Sequence, residues 1–155
     1  MCDGFLFMNK EQLQKIIQEM KERLKSNDKE VPIIASLILD KNDPFSLVLY
    51  STNTVEKANN PLLHAEINVI NDALKLTNSK YLKDSILIVS LEPCLMCLGA
   101  ILKVGIKEIY YILDDEKDGA LSHYHAFVDD KLKITRLHDD DFKEIMNDFF
   151  KRIRK

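Results

Sequence analysis

One histidine and a pair of cysteines constrain this chain more than anything else in it. His64 stands in the triplet His64-Ala65-Glu66, and the two thiols stand in Pro93-Cys94-Leu95-Met96-Cys97. Imidazole nitrogen and thiolate sulfur are donors that Zn²⁺ prefers, and a catalytic zinc site takes three protein ligands and leaves a fourth position open to water. A fold that uses all three must bring two distant segments to one point. Cysteines three apart share one face of a helix, so both sulfurs can reach one ion. Pro93 suits the start of that helix, and the partial positive charge there favours thiolates. Asn60-Pro61 reads the same way, as cap and first turn of a helix that carries His64 early. Glu66, two residues on, leaves an α-helix nearly opposite to His64. That direction disfavours it as a fourth ligand and suits it as a general acid/base. Two plainer readings compete: a structural zinc knuckle, or a reduced thiol pair with an unrelated histidine. A structural site is usually closed by four ligands, and the sequence offers no fourth cysteine or well-placed histidine.

The 155 residues fit one domain over 1–155, with enough chain to bury a sizeable core. No apolar run approaches the roughly 20 residues of a membrane helix, and Met1-Cys2-Asp3-Gly4-Phe5 lacks the basic and apolar regions of a secretory signal. Three cysteines, two of them paired for metal, point to a reducing compartment, and the chain reads as cytoplasmic, with Cys2 a plain free thiol. The net charge of −3 is mild and decides little about partners, although broad nucleic-acid binding usually shows a basic footprint. The last residues, Lys151-Arg152-Ile153-Arg154-Lys155 after Phe149-Phe150, run against that sum.

Asn9 with Gln12 resembles a capping box, and Leu13, Ile16, Ile17, Met20 and Leu24 then recur at helical spacing to about Lys25. Residues 33–39 form an apolar, β-branched run, and Asn42-Asp43-Pro44 is a turn signal leading to a second strand over 46–50. A polar loop over 52–60 precedes the helix of His64 and Glu66, continued by Ile67, Ile70 and Leu74. Strands are expected over 85–91, 108–113 and 133–137, with a helix over 95–103 that Gly105 stops. Residues 114–124 form a polar loop with room for a short helix. Asp139-Asp140-Asp141 opens the closing helix, whose stripe is Phe142, Ile145, Met146, Phe149 and Phe150. The order implies an α/β fold with helices on both faces of one mixed sheet. Ligands in such folds bind beyond the strand ends.

Together the two halves resemble the H-x-E … P-C-x-x-C signature of zinc-dependent nucleobase deaminases. The resemblance is to the cytidine-deaminase-like superfamily and, within it, to bacterial-type tRNA-specific adenosine deaminases. It runs through Val31-Pro32, residues 60–67, residues 90–101, Asp115-Glu116-Lys117-Asp118-Gly119 and Asp148-Phe149-Phe150-Lys151-Arg152. It implies a three-layer α/β/α cytidine-deaminase-like fold with about five strands in the central sheet. His64, Cys94 and Cys97 would then hold Zn²⁺, with Glu66 as the catalytic acid/base. It also implies deamination of the wobble adenosine in a tRNA anticodon stem-loop to inosine, by a homodimer. By matching position, Asn53 contacts the target nucleoside, and Asp115 and Lys117 are loop residues near the RNA. Phe149 and Arg152 would stack on and pair with the anticodon loop, as single-stranded RNA recognition commonly requires.

The family usually has Val-Pro-Val-Gly-Ala where this chain has Val31-Pro32-Ile33-Ile34-Ala35. Ile34 in place of glycine is expected beside the pocket, narrowing it. The loop after Gly119 continues Ala120-Leu121-Ser122-His123-Tyr124, less small than the family pattern, with His123 and His125 as surface residues. Two other functions share the signature: a deaminase of free guanine, cytosine or a related base or nucleoside, and a non-catalytic zinc subunit that only binds RNA. The intact Glu66 speaks against the second.

Overall fold

The computed structural model describes residues 9–24, 29–124 and 130–154. Cys2, Lys25, His125 and Lys155 lie outside the described residues. Helix α1 (Lys10–Arg23) opens on a complete capping box, in which Asn9 Oδ1 accepts from the Gln12 amide at 2.8 Å and the Gln12 side chain accepts from the Asn9 amide at 3.4 Å. Strands β1 (Ile34–Ile38) and β2 (Val48–Thr52) pair antiparallel, about two residues later than the alternation alone places the second strand. A short helix, α2 (Val55–Ala58), occupies part of the expected loop and is followed by α3 (Ala65–Thr77). Then come β3 (Ile86–Leu91), α4 (Leu95–Lys103), β4 (Glu108–Leu113), the short α5 (Ala120–His123), β5 (Lys133–Arg136) and α6 (Asp140–Ile153).

The five strands form one mixed sheet in the order β2-β1-β3-β4-β5. β2 and β3 each run antiparallel to β1, and β4 runs parallel to β3. The C-terminal ends of β2, β3 and β4 therefore share one edge. α3 follows β2 and α4 follows β3, so both helices begin at that edge.

Side-chain alternation along β1 sorts the two cores. Ala35 and Leu37 pack with Val69 and Ala73 of α3 and Leu98 and Ile101 of α4. Ile34 and Ile38 pack on the opposite face with Ile16 and Met20 of α1 and Phe142 of α6. That is the three-layer α/β/α arrangement, with Lys21 of α1 reaching Asp139 at 2.7 Å and Asp141 at 2.8 Å to tie the outer pair together.

Ile34 is fully buried on the α1/α6 face. The expectation that it narrows the pocket is therefore corrected: its neighbour Ile33 is the residue that packs toward the α3/α4 face. A one-residue step along a strand changes faces. In α6 the apolar stripe is narrower than the periodicity implies, since Phe142 and Phe149 are buried while Phe150 is 37% exposed.

Candidate active site

Neither His64 nor Cys94 lies inside a helix. Each is the residue that precedes the first turn: His64 with φ −68° and ψ 159° before α3, Cys94 with φ −77° and ψ 175° before α4. Asn60-Pro61 does not cap α3. Asn60 Oδ1 accepts from the Leu62 amide at 2.9 Å, closing a turn that ends before the helix begins. The extended backbone at His64 overturns the argument that His64 and Glu66 diverge as two helix positions would. Both side chains face the same cleft.

Asn68 anchors this segment. Its amide nitrogen donates to the Thr52 carbonyl at 2.9 Å and the Thr54 hydroxyl at 2.9 Å, tying α3 to the chain that leaves β2. Cys97, three residues past Cys94, falls in the first turn of α4 and is buried. The His64 Nδ1 atom is 3.6 Å from Cys94 Sγ and 3.5 Å from Cys97 Sγ. Their ligand atoms all lie within 4.8 Å of one another, and no other such trio of metal-type ligands occurs among the described residues. Tetrahedral zinc with ordinary Zn–S and Zn–N bonds sets nitrogen and sulfur about 3.6 Å apart. The donor set and its spacing fit that ion.

The electrostatics follow from sharing and burial. A hydrogen bond from the Cys97 thiol, joined by one from His64, holds the Cys94 thiol down at about 4. Sharing with Cys94 and then burial push the Cys97 thiol above its ordinary range, and the Cys94 sulfur raises His64. The cluster is thus an electron-rich sulfur pair beside an imidazole, which a divalent cation would relieve of its remaining proton. Glu66 is 4% exposed, and burial pushes its carboxyl up to about 7. A carboxyl poised there can both take and return a proton near neutral pH.

The cleft measures about 430 Å³, with Ile33, Glu66, Cys94, Asp115 and Asp118 among its lining. The other expected substrate contacts lie elsewhere. Asn53, Phe149 and Arg152 line a second cavity of about 510 Å³, together with Arg23, Val31 and Pro32. Val31, Pro32 and Ile33 thus run between the two cavities. Asn53 is 6% exposed, donates to the Val31 carbonyl at 3.4 Å and accepts from the Val55 amide at 3.3 Å. Phe149 is buried edge-on to Phe150, with the Arg152 guanidinium 5.6 Å from its ring centre. Lys117 is exposed on the loop and lines neither cavity. His123, also exposed, sits 3.3 Å from the Glu116 carbonyl.

Sequence reasoning passed over Glu92. It is 2% exposed, lines the cleft, and accepts from the Asp115 amide and from Ser122. Its one sequence signal is a lone carboxylate closing an apolar run immediately before Pro93.

A family model described as MafB19-like deaminase matches residues 8–154. The chain is 36% identical over 131 residues to a tRNA-specific adenosine deaminase of Rickettsia felis, which spans 81% of this chain and 90% of that one. A solved structure from studies of A-to-I editing by tRNA:A34 deaminases at the wobble position superposes with a TM-score of 0.62 at 32% identity, covering 77% of this chain and 89% of that one. A guanine deaminase of Bacillus subtilis superposes with a TM-score of 0.53 at 27% identity, covering 81% and 73%.

Proposed function

Since the chain belongs to the MafB19-like deaminases, in the family that holds the tRNA-specific adenosine deaminases, we propose that it converts the wobble adenosine of a tRNA anticodon loop to inosine by zinc-dependent hydrolysis. One observation carries the chemistry: His64 Nδ1 stands 3.6 and 3.5 Å from two sulfurs, in the same cleft as a buried Glu66. His64, Cys94 and Cys97 would hold the ion. When bound, zinc supplies an acidified water as the nucleophile. Glu66 would pass one proton of the water to the ring nitrogen and the second to the departing amine, so the C–O bond forms, the C–N bond breaks, and adenine plus water gives hypoxanthine plus ammonia. Burial of Glu66 keeps bulk water from competing for that proton.

The tRNA assignment rests on the relatives, whose names specify tRNA and, for one, position A34. The second cavity supports it, because an extruded nucleotide in the cleft leaves its neighbours needing a seat nearby. Asn53, Phe149 and Arg152 furnish one, Asp115 lines the cleft, and Lys117 would reach the RNA from the exposed loop beside it. The residues 1–155 work as one domain in the cytoplasm, where thiolate ligands stay reduced. Among the described residues no helix is long and apolar enough to cross a membrane. We further propose a homodimer. Its support on this chain is the face of α4 at the rim of the cleft, where Leu95 is 57% exposed and a side chain added at Gly99 would meet nothing within 4 Å.

A free-base deaminase is the second reading, favoured by the acidic lining of the cleft, with Asp115 and Asp118 in place of cations. Zinc-loaded protein incubated with an anticodon stem-loop should turn the wobble adenosine into a base that is read as guanosine. If the RNA stays unchanged while guanine or cytosine releases ammonia, the tRNA reading is wrong and the second one stands.

A further inference from the structure

Glu92 directly follows β3, two residues before Cys94, and is almost wholly removed from water. A buried carboxylate is costly unless its lone pairs meet donors. The donors the structure gives it all come from one loop. The Asp115 amide donates at 3.1 Å to one carboxylate oxygen and the Ser122 amide at 2.7 Å to the other, while the Ser122 hydroxyl stands 3.0 and 2.9 Å from the two. Asp115 and Ser122 are the two ends of residues 115–122, the segment that puts Asp115 and Asp118 into the cleft lining.

The middle of that loop is held differently. Ala120 and Leu121 are buried, the Ala120 amide donates to the Pro93 carbonyl at 2.9 Å, and Cys94 and Gly119 form an isolated bridge. The loop lies so close to Glu92 that a side chain at 119 would overlap both the Glu92 carboxyl and the Asp115 carbonyl. Here the glycine is required by close approach. Ser122 stands in the short α5, directly after buried Leu121, and that seated turn presents its amide and hydroxyl to the Glu92 carboxylate. Asp115 spends its own carboxylate inside the turn, accepting from the Lys117 and Asp118 amides at 3.2 and 3.1 Å.

We infer that Glu92 is a positioning residue: its carboxylate fixes both ends of the 115–122 loop and so sets where the wall of the cleft stands, without touching the reacting atoms. Losing the acceptor frees the Asp115 end and loosens the turn at Ser122, while buried Ala120 and Leu121 keep α5 seated. The consequence falls on substrate binding more than on the chemical step.

The test compares Glu92→Gln and Ser122→Ala with the native zinc-loaded protein, by amide hydrogen exchange and by KM and kcat on the stem-loop. In Glu92→Gln the amides of Asp115 and Ser122 should exchange about tenfold faster, the scale of one charge-assisted hydrogen bond. KM should rise severalfold with kcat nearly unchanged, and zinc should stay stoichiometric. Ser122→Ala should move both readouts the same way by less, and it carries the test if the glutamine variant does not fold. Unchanged exchange across 115–122, or zinc loss with the loop still protected, overturns the inference. The kinetic arm rests on the deaminase reading, whereas the exchange arm does not. A native protein inert on the stem-loop therefore counts against the function, and the exchange result alone then decides the role of Glu92.

Discussion

The two cavities on either side of Val31–Pro32–Ile33 are built on opposite principles. In the cleft, His64 and Cys94 each stand where an extended backbone turns into a helix, and the helices behind them bury Ala65, Val69, Leu98 and Ile101 in one core. Their positions are therefore fixed by packing, the condition a metal site needs. The second cavity is collected from α1, the approach to β1, the end of β2 and α6, and its cations are the long side chains of Arg23 and Arg152, set beside the acids Glu30 and Asp148. Arg23 pairs with Glu19 at 3.0 Å and lies 4.3 Å over the Tyr50 ring, a local arrangement near the surface. The proposed chemistry falls in the rigid cavity, and the proposed recognition of neighbouring nucleotides in the adaptable one.

The largest effects should come from the rigid cavity, and two substitutions there should part company. Cys94→Ser should lose zinc, measured by metal content, and with it all turnover and some thermal stability. Glu66→Gln should keep one zinc per chain and lower kcat by about a hundredfold to ten-thousandfold, as removal of a general acid/base does. Loss of metal in Glu66→Gln would make that carboxylate part of the ligand set. The same residue sets a pH slope in chelator-treated protein. Burial raises the Glu66 carboxyl from 4.5 to about 7, so the folded state holds its proton more tightly than the unfolded chain does. Stability from that group is full below 4.5 and falls as pH rises through 7. Denaturant midpoints should show the decline in the native sequence and a flatter profile in Glu66→Gln.

A smaller effect is expected from the adaptable cavity. Arg152→Ala should raise KM for the stem-loop about tenfold, with kcat and zinc content unchanged, if its cation meets the RNA. An unaltered KM would remove this cavity from substrate recognition. The smallest effect separates neighbours on one strand. Ile34→Val should cost about 1 kcal/mol of stability and leave KM alone, because Ile34 faces α1 and α6. Ile33→Val should shift KM instead, since Ile33 lines the cleft. A KM change in the Ile34 variant would contradict the face assigned to it.

Some of this is legible from residues alone. Helix α4 begins and ends where the pattern around Leu95 and Gly105 puts it, and β4 runs over its expected Glu108–Leu113. Local signals of that kind are read within one turn or one alternation. Other features fail because a local signal is outbid by its neighbours. Asn60-Pro61 looks like a helix start, yet Asn60 spends its side chain on Leu62. Glu92 looks like an ordinary strand end, because its donors arrive from residues 115 and 122.

By itself the sequence determined the donor set, one imidazole, two thiols and a carboxylate, along with the elements that carry them and the alternation of the central strands. Residue chemistry and short-range periodicity are written in consecutive letters, so they survive without a fold. Only the tertiary structure decided that Ile33 rather than Ile34 meets the cleft, that Asn53 and Phe149 belong to a separate cavity, and that Glu92 fastens the loop beside the cysteines. Those are facts of which face a strand turns inward and which distant segment lies against it. Such facts are set by packing between elements, and no window along the chain contains both partners.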